Sequence, residues 1–359
     1  MLFLSDIGEM KGYDFRNMLT VNGIEMSMDI GVKDMVISGS APVSRLSLLL
    51  KSLITLANDR KPDAAAFEYF KECEHLRLDY DSSRGPGIDN SLYHTLFQGF
   101  RFPSSKSSDA LGDRTQEKAE LFFSSRFQQV NDGVIVIAGD IKEEFLKKLL
   151  CKYLGGFRTL NTLDRKPSVQ FRPSAGTKTS HTQGREKGTY VLVSSDIPLT
   201  GENYYAAPMA MEALRNQLSR ELVPLGMSFS LRGEYFSYPE ERYNLQITVR
   251  PVPNESLPQK MTPATNSEAL SAVRKALSEA AGKSISKADL AAYKALVTGR
   301  TTSATGTPGS VVAAVVARYC MGKDFVTKYK DTIGSIDSGK ITNILKSLSE
   351  GSRAEIIVE

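Results

Sequence analysis

Asp132-Gly-Val-Ile-Val-Ile-Ala-Gly-Asp140, followed by Lys152-Tyr-Leu-Gly-Gly-Phe157, is the stretch from which the fold is read. Consecutive β-branched residues predict a strand over Val134–Ala138, buried on both faces. Glu143–Leu154 carries apolar residues at helical spacing, and Gly155-Gly156 closes that helix. Upstream, Tyr13–Val21 reads as a short helix ended by Asn22-Gly23. Glu25–Ile30 and Met35–Gly39 read as strands on either side of a turn around Gly31 and Asp34. Pro42 introduces a helix from Val43 to Ala57. Pro62-Asp63 opens a longer one to about Tyr80, with Ala66, Phe67, Phe70, Cys73 and Leu76 on its apolar period. Asp81–Asn90 is a Ser-, Gly- and Pro-rich loop. Helices follow near Leu92–Phe97 and Thr115–Phe127.

Downstream, Thr159–Lys187 has almost no apolar period and the composition of a linker. We place that linker at 161–186, between a first domain, 1–160, and a second, 187–359. The second domain opens on a strand, Thr189–Ser194, and a helix from Glu202 to Leu222. Two strands, Met227–Gly233 and Tyr243–Arg250, come next. Helices are predicted over Ser267–Ala281, Lys287–Val297 and Gly309–Tyr319, the last started by Thr307-Pro308 as N-cap and first-turn proline. A helix over Thr342–Leu348 and a strand over Ala354–Val358 end the chain. Both domains run strands, long helices, then a terminal strand. That order implies an α+β fold: two similar αβ domains, each a mainly antiparallel sheet with helices packed on one face.

Bulk properties narrow the function classes. The chain has 359 residues, 45 basic and 41 acidic, with a formal net charge of +4 and no dense Lys/Arg block. That near-balance argues against a nucleic-acid partner. Its longest apolar stretches are too short to span a membrane. Cys73, Cys151 and Cys320 are far apart and form no C-x-x-C, so they read as small buried hydrophobes.

Three further stretches carry a resemblance. Phe122-Phe-Ser-Ser-Arg-Phe precedes the strand and helix quoted first. Leu214-Arg-Asn-Gln-Leu-Ser-Arg-Glu221 is followed by Gly226-Met-Ser-Phe-Ser230. Lys287-Ala-Asp-Leu leads on to Tyr319-Cys-Met-Gly-Lys-Asp324. In order and spacing these resemble the insulinase/pitrilysin-type (inverzincin) zinc metallopeptidases over nearly the whole chain, with a metalloprotease/LuxS-like fold. The resemblance implies peptide hydrolysis at a zinc ion held by the two His of H-x-x-E-H and a distal Glu, with the motif Glu as general base. This chain has only His75, His94 and His181, none within such a motif.

The chain is therefore expected to be the non-catalytic half of such a peptidase. It would wall the chamber and bind extended peptide, with zinc in a catalytic H-x-x-E-H half on the same or a separate polypeptide. Two alternatives stay open. One is an amino-truncated catalytic half: Met1-Leu-Phe3 resembles the residues that follow the motif, and Glu74 lies near the spacing of the distal ligand. Against it, Asn22-Gly-Ile-Glu-Met-Ser-Met-Asp29 lacks the glycine-rich, asparagine-bearing edge strand of catalytic halves. The other is a scaffold protein without protease activity. A periplasmic or envelope location is what bacterial family members suggest.

No catalytic residue and no metal ligand is assigned. In the family's partner half an Arg and a Tyr hold substrate. Arg220 matches the Arg, Met227 stands at the Tyr position, and Phe229 is the nearest aromatic. These three are the expected substrate-binding residues, without a hydroxyl for an oxyanion. Glu72 and His75 could share a helix face, but a solvated pair on an amphipathic helix is the plainer reading. His94 reads as a satisfied histidine on an apolar stretch and His181 as exposed in the linker. Gly306-Thr-Pro-Gly309 lacks a phosphate-loop pattern and reads as a helix start.

Overall fold

The chain divides into two compact units, 1–84 with 106–167, and 85–105 with 168–359. The structure, a computed structural model, describes residues 5–30, 35–83, 87–97, 109–128, 133–156, 172–236, 240–253 and 262–359. In chain order the elements are β1 (Ser5–Ile7), α1 (Gly12–Val21), β2 (Glu25–Ile30), β3 (Met35–Ser40), α2 (Leu46–Asn58), β4 (Arg60–Pro62), α3 (Ala64–Ser83) and α4 (Ile88–Leu96). Then come α5 (Asp109–Gly112), α6 (Gln116–Gln128), α7 (Glu143–Tyr153), β5 (Thr177–Thr182), β6 (Gly188–Ser195), α8 (Gly201–Leu222), β7 (Met227–Phe236) and β8 (Arg242–Pro251). The chain closes with α9 (Asn266–Gly282), α10 (Lys287–Thr305), α11 (Pro308–Met321), α12 (Tyr329–Ser335), α13 (Ser338–Glu350) and β9 (Ser352–Val358). Among the described residues no helix is long and apolar enough to cross a membrane.

In the first unit the paired strands β2 and β3 lay Met26, Met28, Met35 and Ile37 on a core of Phe15 and Leu19 from α1, Ile24 just before β2, and Leu56 from α2. A second cluster joins Leu46 and Leu50 of α2 to Leu149 of α7. The strand expected at Val134–Ala138 is a correction: that segment forms no ladder among the described residues, and Val134 and Ile135 are 43% and 55% exposed. Only Ile137 packs, on the α2–α7 cluster. β-Branching favours a strand only where neighbouring strands accept its hydrogen bonds, and none is described there.

The second unit is a five-stranded sheet in the order β5-β9-β6-β8-β7. β5 runs parallel to β9, and the other pairs are antiparallel. All of β6 is buried, because its two faces meet different layers. Val191 and Val193 point into the main core with α8, α9 and α13, while Tyr190 and Leu192 meet Leu92, Leu96 and Phe97 of the α4 segment. This packing keeps the expected mainly antiparallel sheet with its long helices on one face, and adds the short α4 on the other. It also places α4, whose residues we read with the first domain, on the second unit's sheet. A further correction falls in the linker, where Thr177–Thr182 is the edge strand β5. Its Thr and Ser alternation was masked by the absence of apolar residues.

α8 is the central helix. Thr200 caps it by accepting from the Asn203 amide, and Leu214, Leu218 and Leu222 stack at every fourth position with no exposure. Burying each such leucine stabilises the unit by roughly 1.5–3 kcal/mol. Thr307 caps α11 in the expected manner, reciprocally with Ser310.

Candidate functional site

Strand alternation splits β7 and β8 into two chemically different faces. Tyr243, Leu245, Ile247 and Val249 of β8 and Met227 of β7 enter the main core, with Phe229, Leu231 and Tyr235 packed against it. The intervening residues, Asn244, Gln246, Thr248 and Arg250 with Ser228, Ser230, Arg232 and Glu234, are polar and lie on the α4 side. α4 packs mainly on β6 and β9 and reaches β7 and β8 through Tyr93 and Asp89, and beside its first turn a polar groove of about 830 Å³ remains open. Gly87, Ile88, Asp89 and Asn90 form one wall, Gln246, Thr248 and Arg250 the floor, and Ser228–Ser230 the rim.

The polar contacts of the groove are specific. Gln246 Nε2 donates to Asp89 Oδ1 at 2.6 Å. Arg250 pairs with Glu186 at 3.3 Å and donates to the Tyr190 hydroxyl at 3.3 Å. Farther along, the Tyr93 hydroxyl donates to Glu234 Oε1 at 3.1 Å. Burial, then the Glu234 charge, pushes the Tyr93 phenol well above its ordinary value, so it stays a neutral donor. β7 forms the outer edge: its ten residues pair with β8 in unbroken register, and it is the last strand in the sheet order.

The residues singled out in the sequence fall apart on this geometry. Arg220 is exposed in the last turn of α8 and lies near Tyr293 of α10, whose hydroxyl accepts from Asn216 at 3.0 Å. It does not line the groove. Met227 is 2% exposed and belongs to the core, so its side chain is closed to a peptide, which corrects its assignment. Phe229 is half-buried: it packs on the core and also borders the groove. Asp89, Gln246 and Arg250 were missed. The polar alternation within Tyr243–Arg250 was the only signal for Gln246 and Arg250, Asp89 lay in the stretch read as a loop, and nothing in either named a ligand.

Glu74 and the histidines, the residues weighed as zinc ligands, do not converge with one another among the described residues. Glu74 is engaged by the Arg77 guanidinium, at 3.1 Å from Nε and 2.7 Å from Nη2. The three histidines stand apart on α3, α4 and β5. Among the described residues no three His, Cys, Asp or Glu side chains converge, whereas catalytic zinc takes three protein ligands. Glu72 and His75 lie on α3 without a second ligand pair. Cys73, Cys151 and Cys320, expected to be buried, are exposed free thiols, a correction that burial of their helices' other faces explains.

No protein-family model matches the sequence, and no curated protein does. Solved structures do match. The periplasmic protease PqqL from Escherichia coli superimposes with a TM-score of 0.81 at 14% identity, over 99% of this chain and 39% of that one. The ferredoxin protease FusC, in complex with Arabidopsis ferredoxin, gives 0.77 at 14% identity over the same shares. An inactive domain of an M16 peptidase from Pseudomonas fluorescens gives 0.72 at 13%, over 99% of this chain and 86% of that one. The fold is thus that of the insulinase/pitrilysin-type peptidases. The chain spans 39% of the length of the first two proteases, and most of the length of the inactive domain.

Proposed function

We propose that this chain is the non-catalytic half of a zinc-dependent peptidase, walling the chamber and binding extended peptide, while an H-x-x-E-H half performs hydrolysis. The fold supports the class. The observation that carries the binding role is β7, a long strand with no strand partner on its outer side among the described residues and a polar groove against it. Natural edge strands of this length are usually blunted by proline, bulges or lysines. β7 has no proline or lysine, its charged residues Arg232 and Glu234 are confined to its second half, and its partner register is continuous. A strand added there gains main-chain hydrogen bonds for affinity, and alternate side chains read the two faces. Zinc in the catalytic half would supply the nucleophilic water.

A labelled, unstructured peptide about as long as β7 is expected to bind in fluorescence anisotropy. Methylating alternate backbone amides on its pairing edge should weaken binding about tenfold or more, since several hydrogen bonds worth about 1 kcal/mol each are lost. Equal affinity for the methylated peptide would refute strand addition. Binding beyond β7, at the exposed Arg220, has its own test in the assembled enzyme. Arg220→Ala is expected to raise KM with kcat little changed, the mark of lost uniform binding. A hundredfold fall in kcat with KM intact would instead assign Arg220 to the transition state.

A further inference from the structure

The groove beside β7 carries an unbalanced charge. Five ionised groups lie along it and its continuation: Asp89, Glu186, Glu234, Arg250 and Arg232. Arg250 is paired with Glu186 at 3.3 Å and Arg232 with Glu234 at 3.0 Å. Asp89 is left over. Its described partner is the neutral amide of Gln246, which occupies part of one oxygen and leaves the remaining lone pairs available. Asp89 sits in the first turn of α4, whose helix end offsets at most about half a charge. Among the described residues the groove thus presents a net negative site.

From this we infer that the groove selects a lysine or arginine side chain of the strand bound on β7, with Asp89 as its counter-charge. This rests on the proposed strand addition. Ser228 and Ser230 point to the groove side, so a strand paired with β7 sends alternate side chains the same way. Gln246, and the carboxylate it holds, belong to the β8 column. An added strand lies two spacings from it, about 9.5 Å, a span that only the longest basic side chains bridge, with the last ~2.8 Å being the N···O contact itself. The small hydroxyls of Ser228 and Ser230 leave the path clear and give the aliphatic stem polar but uncharged neighbours.

The test uses the intact chain and a set of labelled β-strand peptides that differ at one groove-facing position: lysine, norleucine, glutamate, or the short basic diaminobutyric acid. Lysine is expected to bind about threefold to fivefold tighter than norleucine, the scale of a partly exposed ion pair, with glutamate weakest and diaminobutyric acid close to norleucine. Asp89→Asn should erase the lysine preference and Asp89→Glu should keep it, with unchanged melting showing that α4 stays in place. Persistence of the preference in Asp89→Asn overturns this inference and leaves strand addition standing. Failure of every peptide to bind, or indifference to backbone methylation, overturns strand addition and this inference with it.

Discussion

Glu355→Gln is expected to cost the second unit about 3 kcal/mol, at the lower end for breaking a buried ion pair. Glu355 is fully buried on β9. Arg274 of α9 holds it with two nitrogens, at 3.1 Å from Nε to Oε1 and closely from Nη2 to Oε2. Thr179 Oγ1 on the edge strand β5 donates to Oε2 at 2.7 Å, and Arg353 lies 3.9 Å away. Removing the charge leaves the buried Arg353 guanidinium without its counter-ion and weakens the tie between β5 and α9. A loss of that size lowers the melting temperature of a unit this large by about 6–12 °C. Calorimetry that finds the variant within 2 °C of the parent, roughly the scale of a surface substitution, would show the network contributes little.

The pH dependence follows in sign. Burial pushes the Glu355 carboxyl up, but the hydrogen bonds from Arg274 and Thr179 and the two guanidinium charges outweigh it, holding it below the ordinary 4.5. A depressed carboxylate contributes its full stability above its unfolded value and loses it as pH falls through the folded one. The gap between parent and Glu355→Gln should therefore be constant near neutrality and narrow below about pH 4.5.

The second large effect is on activity. The chain alone is expected to cleave no peptide and to bind less than a tenth of an equivalent of zinc after chelator treatment. On adding the H-x-x-E-H half, encoded nearby or fused, chelator-sensitive cleavage should appear, an increase of several orders of magnitude because metal-bound water is the nucleophile. Chelator-sensitive hydrolysis of a denatured protein by the chain alone would refute the non-catalytic assignment, as would one tight zinc per chain. An H-x-x-E-H half that is fully active without this chain would refute the pairing.

Most helices could be located from sequence because their signals are local. Thr200, Thr265 and Thr307 cap α8, α9 and α11 with their own side chains, and apolar spacing marks each buried stripe. The run Thr189–Ser194 was legible as a strand for the same reason, being apolar on both faces. β5 was not legible: its six exposed polar residues carry no burial signal, and only pairing with β9 makes it a strand. Val134–Ala138 failed in the opposite direction, having the propensity and no described neighbour to pair with.

The sequence by itself determined the α+β class, the places of most helices and of β2, β3 and β6 to β9, and the absence of an H-x-x-E-H motif from these 359 residues, since these depend on residue type and spacing along the chain. Only the tertiary structure decided where Arg220, Met227 and Phe229 stand, that α4 belongs on the second unit's sheet, and that Asp89 meets Gln246 across 157 positions. The physical reason is that a binding surface is assembled from whatever strand register and helix packing bring together, and the groove's residues share no period that links them before the sheet forms.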